Sequence, residues 1–75
     1  MIAGPLARFT VVSSVINSIG YCLESRALEI EFQSGAVYRF VDVPKETFED
    51  FLKAESKGSF FNKHVRSLFA FGRAA

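Results

Sequence analysis

His64 and Cys22 are the single histidine and the single cysteine of a 75-residue chain that also carries 8 carboxylates. These are the groups that could do acid–base or nucleophilic chemistry. A helix beginning near Ser59 puts His64 about 60° from the line through Phe61, Val65 and Leu68, at the border of the apolar face. A general base also needs a pocket, an orienting partner and a matched pKa, and the sequence sets no such partner beside His64. Alternation places Cys22 on the polar side of a strand across from Glu29, where a carboxylate disfavours the thiolate. Glu29 and Glu31 alternate with apolar residues on that same sheet, while Glu46, Glu49 and Asp50 crowd the start of a helix. Solvated strand faces and helix N-termini ordinarily hold such groups. The glycines at 4, 20, 35, 58 and 72 are isolated, so no phosphate loop forms, and one histidine with one cysteine makes no metal site. The expectation is a non-enzymatic protein with no cofactor, no metal and no small-molecule substrate.

Charge is more informative. Residues 1–52 carry four basic against seven acidic side chains; residues 53–75 carry five basic against one acidic. The C-terminal third is therefore a basic lobe, and Phe60, Phe61, His64, Phe69 and Phe71 are interleaved with its cations. Charge for phosphate and rings for stacked bases are what single-stranded nucleic acid requires. This pattern predicts contact with RNA, single-stranded or tRNA, through Lys57, Lys63, Arg66 and Arg73, with Lys53 at the edge. The whole chain is nearly neutral, at +1 with a pI near 7.9, so charge alone does not mark it as a nucleic-acid binder.

The length allows one core. A domain of this size buries only about 60% of the surface of its unfolded chain. The lone cysteine precludes an intramolecular disulfide and suits a reducing compartment. The longest uninterrupted apolar run is Leu68 to Phe71, far below the roughly 20 residues of a membrane span, and the start of the chain lacks the pattern of a signal peptide. A cytoplasmic protein without membrane contact is expected, with a single domain over residues 10–72 and frayed ends at 1–9 and 73–75.

From Ile19 to Val43 the dominant period is two. Ile19, Tyr21 and Leu23 alternate with Gly20, Cys22 and Glu24, and Leu28, Ile30 and Phe32 with Glu29, Glu31 and Gln33. This predicts two strands, each with one dry and one wet side. A four-residue loop over 24–27 would set Leu23 opposite Leu28, Tyr21 opposite Ile30 and Ile19 opposite Phe32. A third strand runs from Ala36 to Val43. A two-residue turn at Ser34-Gly35 would bury Arg39. A three-residue loop with Gly35 left-handed instead faces Tyr38 to Ile30, Phe40 to Leu28 and Arg39 to Glu29. The second register puts both aromatics on the dry side and makes an ion pair on the wet one.

Beyond Val43 the period changes. Pro44 suits a first helical turn, Lys53 and Lys57 its last turns, and Gly58 its stop. Phe48, Phe51 and Leu52 form the apolar stripe, and Glu49 pairs with Lys53. A second short helix capped by Ser59 runs through Leu68, and Ser13 or Ser14 caps a single turn ahead of the first strand. The fold class is α+β: a three-stranded antiparallel meander followed by one helix and a second short helix packed on one face.

The order and spacing of Ser13-Ser14, Ile19-Gly20-Tyr21, Leu28-x-Ile30-x-Phe32-x-Ser34-Gly35, Val37-Tyr38-Arg39-Phe40, Val43-Pro44 and Ala54-x-Ser56-x-Gly58-x-Phe60-Phe61-Asn62 resemble the KTSC domain. That domain occurs at the C-terminus of some lysyl-tRNA synthetases and as small stand-alone bacterial proteins. The resemblance covers Ser13 to about Phe71. It implies the fold, and its synthetase context implies a link to RNA. The family's central Tyr-x-Tyr is here Tyr38-Arg39-Phe40, and Cys22 stands where an aspartate is usual. Tyr38 joins the expected RNA contacts if its hydroxyl emerges at the rim of the sheet.

A second class of function competes. Nine phenylalanines are many for so small a core, and a three-stranded sheet leaves two edges and one open face bearing Val37, Val41 and Val43. A homodimer or another protein partner could cover that face.

Overall fold

The computed structural model describes residues 7–74. Five strands form one antiparallel sheet in sequential order: β1 (Phe9–Thr10), β2 (Ile16–Cys22), β3 (Ala27–Phe32), β4 (Val37–Phe40) and β5 (Phe71–Arg73). Helices α1 (Lys45–Lys53) and α2 (Lys57–His64) lie between β4 and β5. The α+β class agrees with the sequence, but the expected three strands are the middle of five. Phe9 and Arg73, assigned to frayed ends, are strand residues; residues 1–6 and 75 lie outside the described residues. Strands of two and three residues carry no periodicity, so nothing in the pattern could announce them.

The β3–β4 register is the one that excludes Arg39 from the core. Leu28 pairs with Phe40, Glu29 with Arg39 and Ile30 with Tyr38, and Gly35 has φ of 95°. The β2–β3 hairpin is two residues out of the expected register: Tyr21, not Leu23, faces Leu28, and Cys22 faces Ala27. Here Arg26 takes the left-handed conformation at φ 59°, and its N–H donates to the Cys22 carbonyl. The loop is therefore 23–26, and Leu23 is exposed. A slip of two leaves every side chain on its own face, which is why alternation could not detect it. A bulge between Ile16 and Ser18 then lets Ile16 and Ile19, three apart, both reach the core. Ser13 accepts from the N–H groups of Val15 and Ile16 at the entry to β2.

The core joins Ile16, Ile19, Leu28, Ile30 and Phe40 of the sheet to Val43, Phe51 and Val65. Val43 was expected on the open face. Asp42, at φ 57°, reverses the alternation after β4 and drops Val43 into the interior. Its carbonyl accepts from the Tyr21 hydroxyl at 2.5 Å, and the Tyr21 ring stacks on Phe48 of α1 with centroids 4.9 Å apart. Burial raises the Tyr21 phenol above its ordinary pKa.

The helices also stop differently from expectation. Ala54, not Gly58, closes α1, and Ser56, not Ser59, caps α2, its side chain accepting from Ser59 N–H at 3.2 Å. The second helix ends at His64, so Leu68 is exposed rather than part of its apolar face. Glu49 pairs with Lys45 at 3.7 Å rather than with Lys53. Leu52 is 42% exposed, whereas Phe51 is fully buried and stacks on Phe60.

The opposite side of the sheet is not the wet face that alternation implies. A row of residues crosses it from Gly20 to Glu29, Arg39 and Gly72. Glu29 is 1% exposed there. Arg8 Nη1 reaches its Oε1 at 2.5 Å; Arg39 Nη2 and Nε reach its Oε2 at 2.6 and 3.1 Å. Beside it Asn17 and Ser18 donate to Glu31 Oε1, and these bonds, Asn17's first, hold the Glu31 carboxyl below its ordinary pKa. Val37 is 5% exposed as well, so of the three valines offered to a dimer only Val41 remains on the surface.

Gly20 makes this covering possible. A Cβ on it would overlap the Ala7 carbonyl oxygen and press on Arg8 Cγ at 3.0 Å. Gly20→Ala is expected to displace the Ala7–Arg8 segment and cost about 1–3 kcal/mol, the usual range for overpacking. The denaturant midpoint of the variant measures the cost, and chemical shifts of residues 7–10 locate it.

Candidate functional site

Both helices sit over the same side of the sheet, and α2 does not reach its β5 edge. Where its cover ends, Phe32, Tyr38, Phe40, Phe61 and Phe71 touch in a closed circuit. Centroid separations around it are 5.8 Å for Phe32–Tyr38, 5.5 Å for Tyr38–Phe71 and 5.2 Å for Phe71–Phe40. Phe40–Phe61 at 5.7 Å and Phe61–Phe32 at 5.2 Å complete it. Four of the five contacts are edge-to-face, the arrangement the ring quadrupole favours. The register explains the grouping: Phe40 pairs with Phe71 and Tyr38 with Arg73, so β5 delivers its residues to the face that carries the aromatics of β4.

The rings line an open groove of about 570 Å³, whose remaining wall includes Ser14, Val15, Gln33, Ser34 and Arg66. Phe40 is 2% exposed and forms the floor, while Phe71 at the edge is 58% exposed. Arg66 is exposed at the groove and is bonded only weakly to Asn62, at 3.4 Å. Arg73 stands over the Tyr38 ring, its guanidinium carbon 6.0 Å from the centroid. No carboxylate is among the described lining residues. The groove thus offers flat apolar surfaces under positive charge. An aromatic enclosure that takes an organic cation works through the ring quadrupole; a guanidinium on the wall, Arg66, and another over the Tyr38 ring, Arg73, oppose that use and favour an anion attached to a flat or apolar body.

Of the five residues read from sequence as RNA contacts, Tyr38 and Arg66 line this groove, and Arg73 reaches it by standing over the Tyr38 ring. Lys57 does not. Its Nζ donates to the Ala54 carbonyl at the end of α1, and it lines a separate polar groove of about 430 Å³ with Ser13, Ser56, Ser59 and Asn62. Lys63 is exposed on α2 and does not line the aromatic groove. Lys53 is exposed at the end of α1. The sequence reading set Phe61 and Phe71 among the rings of the basic lobe but missed Phe32 and Phe40 as groove residues, and Ser14, Gln33 and Ser34 with them. The available signal was that Phe32, Tyr38 and Phe40 share one face near the end of a hairpin, more rings than one helical stripe could cover.

The residues weighed for chemistry lie elsewhere. His64 is exposed and rests on Phe60 at 4.8 Å, as the outermost ring of the Phe51–Phe60–His64 stack. Cys22 faces Ala27 rather than Glu29, and a hydrogen bond with Ser25 holds its thiol below the ordinary pKa, contrary to the expected effect of a carboxylate. Among the described residues no three of His, Cys, Asp and Glu gather at a point that could hold a metal ion. No described helix is long and apolar enough to cross a membrane.

The family model of the KTSC domain matches residues 12–69, and the chain belongs to that family. It is 43% identical over 58 residues to a small uncharacterised protein of Stutzerimonas stutzeri, spanning 77% of this chain and 82% of the other. A lysine–tRNA ligase of Nostoc punctiforme is also 43% identical over 58 residues, but there the match covers 10% of the longer protein. The crystal structure of a KTSC domain protein from Yersinia pestis superimposes with a TM-score of 0.91 at 35% identity, covering 95% of this chain and 100% of that one.

Proposed function

We propose that the domain is a non-enzymatic module that holds single-stranded RNA in the aromatic groove, a base lying against Tyr38 and Phe71 and the flanking phosphates meeting Arg66 and Arg73. The observation that carries this reading is the conjunction of five rings and the Arg66 guanidinium on the groove wall, with Arg73 over the Tyr38 ring and no carboxylate among the described lining residues. Single-stranded RNA is bound by stacking on aromatic side chains and by cations along the backbone. The occurrence of the same domain within proteins named lysine–tRNA ligase supports RNA as the polymer. Lys57 and Lys63 contribute charge at a distance and do not touch the base.

An amide-shift titration with a hexanucleotide RNA tests the proposal. Saturable shifts are expected at Phe32, Tyr38, Phe61 and Arg66, weakening with salt at a log–log slope of about −1.4, the value for two phosphates on a single strand. Tyr38→Ala should cost about 1–3 kcal/mol of binding, the worth of one stacked base. Arg66→Glu should cost tenfold or more, since a hydrogen bond to a charged group is worth about 1.5–3 kcal/mol. Lys63→Glu should cost less than either. Absence of shifts at low salt and high RNA excess would refute the reading.

A further inference from the structure

The two rings that touch Tyr38 meet it nearly at right angles, Phe32 at 72° and Phe71 at 86°. Neither lies stacked on it, unlike the near-parallel pairs Tyr21–Phe48 at 12° and Phe51–Phe60 at 18°. What stands over the Tyr38 ring is a guanidinium. Arg73 is the cross-strand partner of Tyr38 in the β4–β5 ladder, which brings both side chains to one side of the sheet, and its Cζ is 6.0 Å from the ring centroid. That separation is the outer limit of a cation–π contact. Carbon atoms in direct contact are about 3.5–4.0 Å apart, so Arg73 does not rest on the ring. A flat body between the two needs two such spacings, about 7 Å in all, and an opening of about 1 Å provides them. Arg73 is exposed on a three-residue strand bonded to β4 alone, so its side chain has the freedom to make that move.

Resting on the RNA reading above, we infer that Arg73 caps the bound base, which enters between the guanidinium plane and the Tyr38 ring. A guanidinium is planar and stacks on aromatic faces, and its N–H rim then points sideways, where a flanking phosphate accepts from it. The two roles use different parts of one group. A base is one atom thick and fits the slot, whereas a puckered ribose needs a wider opening, so the base rather than the backbone occupies it. Lysine in place of Arg73 keeps the charge that a phosphate requires and loses the plane that a base requires. That difference separates the cap from the phosphate contact.

The test is a cycle of two proteins, wild type and Arg73→Lys, against two ligands of equal charge, hexauridylate and the same ribose–phosphate hexamer without bases. Arg73→Lys should weaken hexauridylate about two- to fivefold, the worth of an exposed cation–π contact. It should leave the salt slope and the affinity for the abasic hexamer unchanged, because the charge is kept. A second readout needs no variant. As hexauridylate saturates the wild-type protein, the Cδ protons of Arg73 should move upfield under the ring current of the base, and the abasic hexamer should not move them. Equal affinity of the two proteins for hexauridylate, or an equal loss for both hexamers, would overturn the cap while leaving the RNA reading in place. Cδ protons that stay where they are, or move downfield, as hexauridylate binds would overturn it as well. If the substitution displaces β5, seen in the amide shifts of residues 70–74, the wild-type Cδ shift decides alone. Failure of hexauridylate to bind the wild-type protein would instead remove the RNA reading beneath it.

Discussion

Replacing Glu29 by alanine is expected to destabilise the domain by about 3 kcal/mol, the lower end of the range for breaking a buried ion pair from one side. Glu29 is 1% exposed and its two oxygens are shared between Arg8 and Arg39. Without it both guanidiniums lose this buried carboxylate. They are themselves about a quarter exposed, at 25% and 26%, so each recovers some hydration and the loss stays at that lower end. Two consequences separate this from an ordinary truncation. The Arg8 segment should loosen from the sheet, seen as faster amide exchange over β1, and the denaturant midpoint should fall with little change in slope. A shift below about 1 kcal/mol would mean that the triad is worth no more than surface pairs.

Phe51→Ala is expected to cost more, about 3–5 kcal/mol, through lost transfer energy and the cavity left between α1 and the sheet. For a domain of this length the whole stability is of the order of 4–11 kcal/mol, so the variant should be close to unfolding at 25 °C. Leu52→Ala, one position along the same helix, removes a side chain that is 42% exposed and should cost under about 1 kcal/mol. Circular-dichroism melts of the two variants make the comparison. Similar losses would show that the helix sits with a different face against the sheet.

That pair also shows what sequence could and could not say. Phe48, Phe51 and Leu52 fit one apolar stripe by period, but a narrow helix on a twisted sheet has room for one ring at its centre line, and only packing reveals which. The β3–β4 hairpin was legible because a single wrong step would have buried Arg39 and wasted Gly35. The β2–β3 hairpin was not, because an even slip conserves faces and its cause, a left-handed Arg26, has no glycine to mark it. Likewise Asp42 at φ 57° turns Val43 inward by a conformation that composition does not favour. The covered face depended on Arg8 lying over Gly20, a contact across 12 positions that no local pattern encodes. In the site, the cations and Tyr38 were legible as residue types. Their convergence was not, because β5 has only three residues and its pairing with β4 is what brings Phe71 and Arg73 to the groove.

The two outer strands have a consequence for how copies of this chain behave at high concentration. A sheet grows into aggregates by accepting a passing strand along a free edge, and each added residue of edge lengthens the template. Here one edge is two residues long and the other three. The longer strands, β2 and β3, lie between them in the sheet order. Arg73 closes one border with a charge, and Phe71 turns its ring into the groove rather than outward along the edge. The short strands that complete the binding face therefore also blunt the sheet against its neighbours, and a substitution that lengthened β1 or β5 would trade that protection for a longer adhesive border.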